Sequence, residues 1–248
     1  FEMYSIVSKV VGAVPKKIKE DVNFNLNIEN LIDQTNDATK VIYIASPNNP
    51  TGTYLSRDQL VKLMNSISKN IIVVIDGAYV EYVQKDDYDK GFSLTDEYEN
   101  IIFTSTFSKT YGLAALRVGW CYTSQKIADI INKIKPPFNT TTISQSLAIK
   151  ALEDKEHIEN SVKLNSEIKD WFEKELKLLN IKTRQTEGNF TLIETSEEEA
   201  EKISNHLMND GIIIRRLNSY NLPNFLRISI GTKEEMNLTV ESLKKFNV

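Results

Sequence analysis

Apolar residues recur along this chain with two different periods. Near the start, Met3, Ile6, Val7, Val10 and Val11 fall at i, i+3, i+4, i+7 and i+8. That spacing predicts an amphipathic helix with an apolar stripe turned to a core, closed by Gly12 as a left-handed residue. No Ser, Thr, Asp or Asn precedes the helix as a cap, and the chain opens on Phe1 rather than Met, so it reads as a fragment whose beginning lies elsewhere, with an end left by tag cleavage as the plain alternative. Val14–Ile18 reads as a short strand and Ile28–Gln34 as helical. Four apolar runs follow: Lys40–Ala45 (KVIYIA), Ile71–Asp76 (IIVVID), Ile101–Ser105 (IIFTS) and Leu116–Thr123 (LRVGWCYT). Such β-branched runs suit strands buried on both faces of a sheet. Helical patterns separate or follow them: one capped by Ser56 and running to about Lys69, one over Gln125–Ile134, and one from Ile143 after Pro136-Pro137.

Strands alternating with helices predict an α/β fold with a mostly parallel sheet and flanking helices. Ligands of such sheets bind beyond the carboxyl ends of the strands. Asn49, Asp76 and Lys109 sit at or just past those ends. The pattern changes after Pro136-Pro137. A long charged helix over Asp154–Leu179 is followed by Thr191–Glu194, helix 197–209, Ile212–Arg216, Leu226–Ile230 and helix 233–246. These shorter elements predict a small α+β domain. The expected division is 1–150 for the large domain and 151–248 for the small one.

Composition narrows the chemistry. The single cysteine, Cys121, rules out an internal disulfide and fits a reducing, cytoplasmic compartment. The only histidines, His157 and His206, lie in polar helical stretches, which argues against a metal site or a Ser-His-Asp triad. A net charge of −4 argues against nucleic acid as a partner. No apolar run reaches the roughly 20 residues of a membrane helix.

Several polar residues stand out against that background. Lys109, in Ser105-Thr106-Phe107-Ser108-Lys109-Thr110-Tyr111-Gly112, follows a buried strand. Most lysines are simply solvated. A desolvated one at a strand end has a depressed pKa and becomes an amine nucleophile. Asp76 is the only charge after five apolar residues. It either caps a helix or faces a buried cation, such as a protonated pyridine nitrogen. Tyr79, three residues on, points to the same side if the turn is helical. The chain holds six arginines against 24 lysines. Arginine therefore marks places where a planar fork must grip an anion. Arg117, Arg215 and Arg227 fall in strand-like settings, with surface ion pairs as the plain alternative. Arg216 should face outward, because strand neighbours point oppositely. Asn49, in Pro47-Asn48-Asn49-Pro50-Thr51-Gly52, is either part of a turn or an amide aimed at a ligand oxygen.

The ordered set SPNNPTG, IDGAY, TFSKTYGLAALRVGW and FLRISIGT resembles the fold type I aminotransferases that use pyridoxal phosphate. Among these it looks most like the histidinol-phosphate aminotransferases. The resemblance implies a role for each matching residue. Lys109 would carry the cofactor on its amine and later shuttle the substrate proton. Asp76 would pair with the pyridine nitrogen. Tyr79 and Asn49 would bind the ring oxygen. Thr106, Ser108 and Arg117 would bind the cofactor phosphate. Phe1 would stack on the ring, with Tyr4 close by. Arg227, helped by Arg215, would grip the substrate anion. The implied reaction exchanges an amino group between L-histidinol phosphate and 2-oxoglutarate in histidine biosynthesis. The implied assembly is a cytoplasmic homodimer, with no metal, nucleic acid or membrane partner. An aromatic amino-acid aminotransferase, a threonine-phosphate decarboxylase and an inactive fragment are the alternatives. Two departures accompany the resemblance. Gly77 stands where the family usually has Glu, at a position expected not to touch the cofactor. The family also carries a longer upstream stretch, with a Gly-rich phosphate-binding turn, a Tyr donated across the dimer, and further sheet strands.

Overall fold

The computed structural model describes residues 1–246. It divides into two compact units: Phe1–Asn48 with Thr53–Glu159, and Asn49–Gly52 with Asn160–Val248. The units meet at Glu159 and Asn160, inside a long helix.

The first unit is built on strands β1 (Val41–Ala45), β2 (Ile72–Asp76), β3 (Ile101–Thr106) and β4 (Gly119–Thr123). They lie in the order β1-β2-β3-β4. The first three are parallel and β4 is antiparallel to β3. In β2 and β3 the buried positions alternate with half-buried ones, so Val73, Ile75, Ile101 and Phe103 point into one core. Helix α2 (Ile28–Asp33) and helix α3 (Arg57–Ser66) add Ile28, Leu31, Leu60, Leu63 and Met64 to it. Fully burying each large aliphatic side chain contributes about 1.5–3 kcal/mol. Helix α3 starts where expected: the Ser56 side chain accepts from the Gln59 amide and Gln59 answers to the Ser56 amide. That reciprocal pair satisfies two otherwise orphaned donors. A short helix α4 (Phe92–Glu97) precedes β3.

Three expectations fail here. Helix α1 (Glu2–Val10) forms, but its apolar stripe is not buried: among the described residues nothing covers Val10 (81% exposed) or Val11. The helix is held instead through Tyr4, whose ring stacks on Tyr43 of β1 at 5.0 Å. Residues 14–18 form no strand, because no sheet edge pairs with them. The run from Leu116 is a strand only from Gly119. Ala114–Leu116 make a 3-10 turn, and Arg117 follows in the left-handed region at φ 52°.

Helices α5 (Gln125–Ile134) and α6 (Thr142–Glu153) follow the sheet, then the long α7 (Lys155–Leu178). The second unit folds β5 (Lys182–Arg184), β6 (Phe190–Glu194), β7 (Arg215–Arg216) and β8 (Phe225–Ser229) into an antiparallel sheet ordered β5-β6-β8-β7. Helices α8 (Glu197–Asn209) and α9 (Lys233–Phe246), with the end of α7, cover one face and bury Phe172, Leu176, Ile193, Leu207, Leu226 and Leu243. Among the described residues no helix is long and apolar enough to cross a membrane.

Candidate functional site

The carboxyl ends of β2 and β3 collect the polar residues of the first unit. Asp76 is the last residue of β2, in register with Ala45 of β1 and Thr104 of β3. Its carboxylate is held on both oxygens. The Tyr4 hydroxyl donates to Oδ2 at 2.6 Å and the Ala78 amide to Oδ1 at 3.1 Å. The second bond, from an amide two residues on, is a local Asx-type turn that aims the carboxylate along the strand end. Gly77 then turns the chain with no room for a side chain. A Cβ there would stand 2.3 Å from Phe103 Cζ.

Tyr79 follows, 4% exposed. The Lys109 ammonium lies over its ring, 5.2 Å from the centroid, within cation–π range. Lys109 is half-buried on the turn after β3. On that turn the Ser108 amide donates to Thr106 Oγ1 at 3.1 Å. Arg117 reaches back to it. Its Nη1 donates to the Ala114 carbonyl at 2.7 Å and stands 3.5 Å from Ser108 Oγ. The left-handed backbone at Arg117 is what returns the guanidinium to the hydroxyl pair. Two hydroxyls, a backbone turn and an exposed guanidinium make an anion-binding group. Phe1 packs edge-on against Tyr4 at 5.6 Å.

The loop after β1 is pinned from below: the Tyr88 hydroxyl donates to the Ser46 carbonyl, and the Leu55 amide donates to Ser46 Oγ. Burial pushes the Tyr88 hydroxyl's pKa up. Asn48 donates its amide to Glu20 Oε1 at 3.0 Å. Burial raises the Glu20 carboxyl to about 7, with the Phe1 ammonium pulling it back.

The second unit holds Asn49, Arg215 and Arg227. Arg227 of β8 donates from Nη1 to Asn49 Oδ1, and its guanidinium lies 5.2 Å from the Phe190 ring. Its Nε is buried without a partner among the described residues. Gly52 admits no side chain, since a Cβ would lie 2.6 Å from the Thr186 backbone. Arg215 stands directly opposite Arg227 across the β7–β8 ladder, so the two side chains share a face of the sheet. Arg216 points to the other face, as alternation requires, but that face is covered. It is less exposed than Arg215 and pairs with Glu201 of α8 at 3.6 Å.

The pattern of residues could not reveal Tyr4 as the partner of Asp76, nor Glu20, Tyr43 and Glu81. Glu81 lies two places after Tyr79, and a hydrogen bond links it to Thr110, one place after Lys109. A charged residue inside the apolar stretch Val80–Val83 is the one signal that marks it.

The sequence profile of the aminotransferase class I and II family matches residues 1–243. A histidinol-phosphate aminotransferase of Pelagibacter ubique is 41% identical over 251 residues, covering 100% of this chain and 69% of that protein's length. The chain belongs to the class I and II aminotransferases, and within them to the histidinol-phosphate aminotransferase family. The crystal structure of a putative histidinol-phosphate aminotransferase from Erwinia carotovora atroseptica matches with a TM-score of 0.91 at 25% identity, over 99% of this chain and 71% of that one. A Sinorhizobium meliloti histidinol-phosphate aminotransferase solved in complex with pyridoxal-5'-phosphate matches with a TM-score of 0.90 at 24% identity, over 99% of this chain and 69% of that one, which establishes the shared fold. The fold is therefore the fold type I architecture expected from the motifs, and the enzymes of this family are transaminases.

Proposed function

We propose that this chain carries the pyridoxal phosphate site of a transaminase that exchanges an amino group between L-histidinol phosphate and 2-oxoglutarate. The observation that carries this reading is the Lys109 amine held over the Tyr79 ring at 5.2 Å, on the turn next to the one that begins at Asp76. The donor set fits the cofactor. An oriented carboxylate suits a pyridinium nitrogen. A hydroxyl–guanidinium group suits a phosphate. The buried, unpaired Nε of Arg227 suits an anionic oxygen of the substrate.

Bound pyridoxal phosphate supplies an electron sink for breaking a bond at the substrate's α-carbon. The protein does the rest. Asp76, oriented by its two donors, would hold a proton on the ring nitrogen. Tyr79 and Asn49 hydrogen-bond the ring oxygen. Thr106, Ser108 and Arg117 anchor the phosphate, and Phe1 covers the ring. Lys109 Nζ takes the α-proton and returns it, a general acid–base role that needs its amine within hydrogen-bond reach of the reacting carbon. Arg227, with Arg215 on the same sheet face, binds the substrate phosphate through a planar fork. The resemblance extends this reading to a cytoplasmic homodimer, with the cofactor served mainly by residues 1–150 and the small domain by 151–248.

The test is addition of pyridoxal phosphate to the purified chain. A visible absorbance band should appear, vanish on borohydride treatment, and leave a tagged peptide containing Lys109. Lys109→Ala should give no band. A band that persists in that variant would overturn the assignment.

A further inference from the structure

The turns after β2 and β3 both carry residues of the proposed site, Asp76 and Tyr79 on one, Thr106, Ser108 and Lys109 on the other. Side-chain hydrogen bonds tie one turn to the other, and the one nearest both Tyr79 and Lys109 joins Thr110 to Glu81. Thr110 Oγ1 donates to Glu81 Oε2 at 3.2 Å, and Thr110 is only 2% exposed. Glu81 sits in the 3-10 turn Val80–Tyr82, which starts immediately after Tyr79. The bond is therefore offset by two residues from Tyr79 on one side and by one from Lys109 on the other.

The surroundings of Glu81 are unusual for a carboxyl. Burial raises its pKa. The groups interacting with it are Tyr82, whose hydroxyl also meets Thr110, and Tyr88 and Tyr111; a backbone amide and the Thr110 hydroxyl offset the burial, and Lys90 adds a smaller attraction. A buried carboxyl costs stability unless its hydrogen bonds repay it. An apolar residue would fill this space at less cost. None of the steps assigned to Asp76, Tyr79 or Lys109 uses this group.

We propose that Glu81 is a positioning residue for Lys109. By holding Thr110 it locks the lysine turn against the Asp76–Tyr79 turn and sets the Lys109 ε-amine over the Tyr79 ring. The consequence for cofactor capture rests on the reading of Lys109 as the cofactor-bearing amine; the geometric claim does not. A long side chain whose backbone anchor is lost samples more rotamers, and a shift of about 1 Å in a reacting group costs up to about 100-fold in rate.

The test uses the whole chain with Glu81→Leu, Glu81→Gln, Thr110→Val, Thr110→Ser and the double variant Glu81→Leu/Thr110→Val. Two measurements are made. The first is acetylation of Lys109 by limiting acetic anhydride in the absence of cofactor, read by peptide mass spectrometry against the exposed Lys150 and Lys202. The second is the rate at which added pyridoxal phosphate is fixed on Lys109 by borohydride. The double variant removes both partners of the half-buried bond, so it should keep nearly the wild-type melting temperature. Its Lys109 should nevertheless lose its protection from acetylation, and its capture of pyridoxal phosphate should fall about tenfold. Glu81→Gln and Thr110→Ser keep an acceptor and a donor and should behave like the wild type. A double variant with wild-type acetylation and capture would overturn the proposal. So would a Glu81→Gln variant as impaired as Glu81→Leu, since charge rather than the bond would then matter. If the wild-type chain fixes no pyridoxal phosphate on Lys109, the cofactor reading fails, and the acetylation measurement still decides the role of Glu81.

Discussion

The hydroxyl of Tyr4 stands 2.6 Å from Asp76 Oδ2, joining residues 72 positions apart in the sequence. Tyr4 is kept there by its stack on Tyr43. Helix α1 thus contributes to the site through its one polar aromatic contact, while its apolar stripe stays exposed. A hydrogen bond to a charged group contributes about 1.5–3 kcal/mol when buried, and less at this half-buried position. Tyr4→Phe should therefore weaken pyridoxal phosphate binding about fivefold to tenfold, with little change in thermal stability. Cofactor titration by tyrosine and tryptophan fluorescence checks this; an unchanged affinity would mean that the Ala78 amide alone orients Asp76.

Gly77 and Phe103 make a second close pair. A Cβ on Gly77 would meet the ring at 2.3 Å, and Phe103 is fully buried between β2, β4 and α4. Overpacking of this kind costs about 1–3 kcal/mol. Gly77→Ala should lower the unfolding free energy from urea denaturation by that amount and Gly77→Glu by more. Gly77→Ala/Phe103→Leu should recover part of the loss, because the smaller side chain vacates the space. Additive losses in the double variant would show that the two positions do not compete for it.

Glu20 sets a pH dependence. Burial raises its carboxyl from 4.5 to about 7. A carboxyl whose folded pKa lies above its unfolded value contributes stability while protonated, and that contribution is lost as pH rises from about 4.5 through about 7. Allowing for partial exposure, the loss is about 1–2 kcal/mol. The urea midpoint of the wild type should fall between about pH 5 and about pH 8, and Glu20→Gln should flatten the profile over that window. An unchanged slope in Glu20→Gln would assign the dependence to another group.

Arg227 offers a test of substrate class. Its Nη1 is committed to Asn49 while its Nε is buried and unpaired. Lysine cannot reproduce both contacts, because it presents a point charge instead of a fork. Arg227→Lys should lower kcat/KM for L-histidinol phosphate by at least about tenfold and change the value for L-phenylalanine less. Equal losses for the two donors would make Arg227 a general structural residue. Faster wild-type turnover of L-phenylalanine than of L-histidinol phosphate would point to the aromatic aminotransferase alternative.

Much of the fold is legible along the chain because its signals are local. Strands β1, β2 and β3 are β-branched runs wherever they end up, and Ser56 caps α3 through bonds that span three residues. Helix α5 keeps the limits its periodicity sets, Gln125–Ile134. Lys109, Asp76 and Arg227 are conspicuous for the same reason: each is a polar break at the end or in the middle of an apolar run.

What periodicity cannot say is which face of an element meets which neighbour. The stripe of α1 has the right spacing for burial, yet it is Tyr4, at the stripe's flank, that makes the contact with the sheet. Residues 14–18 have strand-like composition but no edge to pair with. Arg117 lies in an apolar run that reads as strand, yet its backbone turns left-handed to bring the guanidinium back to Ser108. The bonds Tyr4–Asp76, Glu20–Asn48 and Glu81–Thr110, like the close approach of Phe103 to Gly77, join residues from separate elements. Local propensity and hydrophobic period depend on residues a few places apart. These contacts exist only once the sheet has set the register of its strands and closed the loops between them.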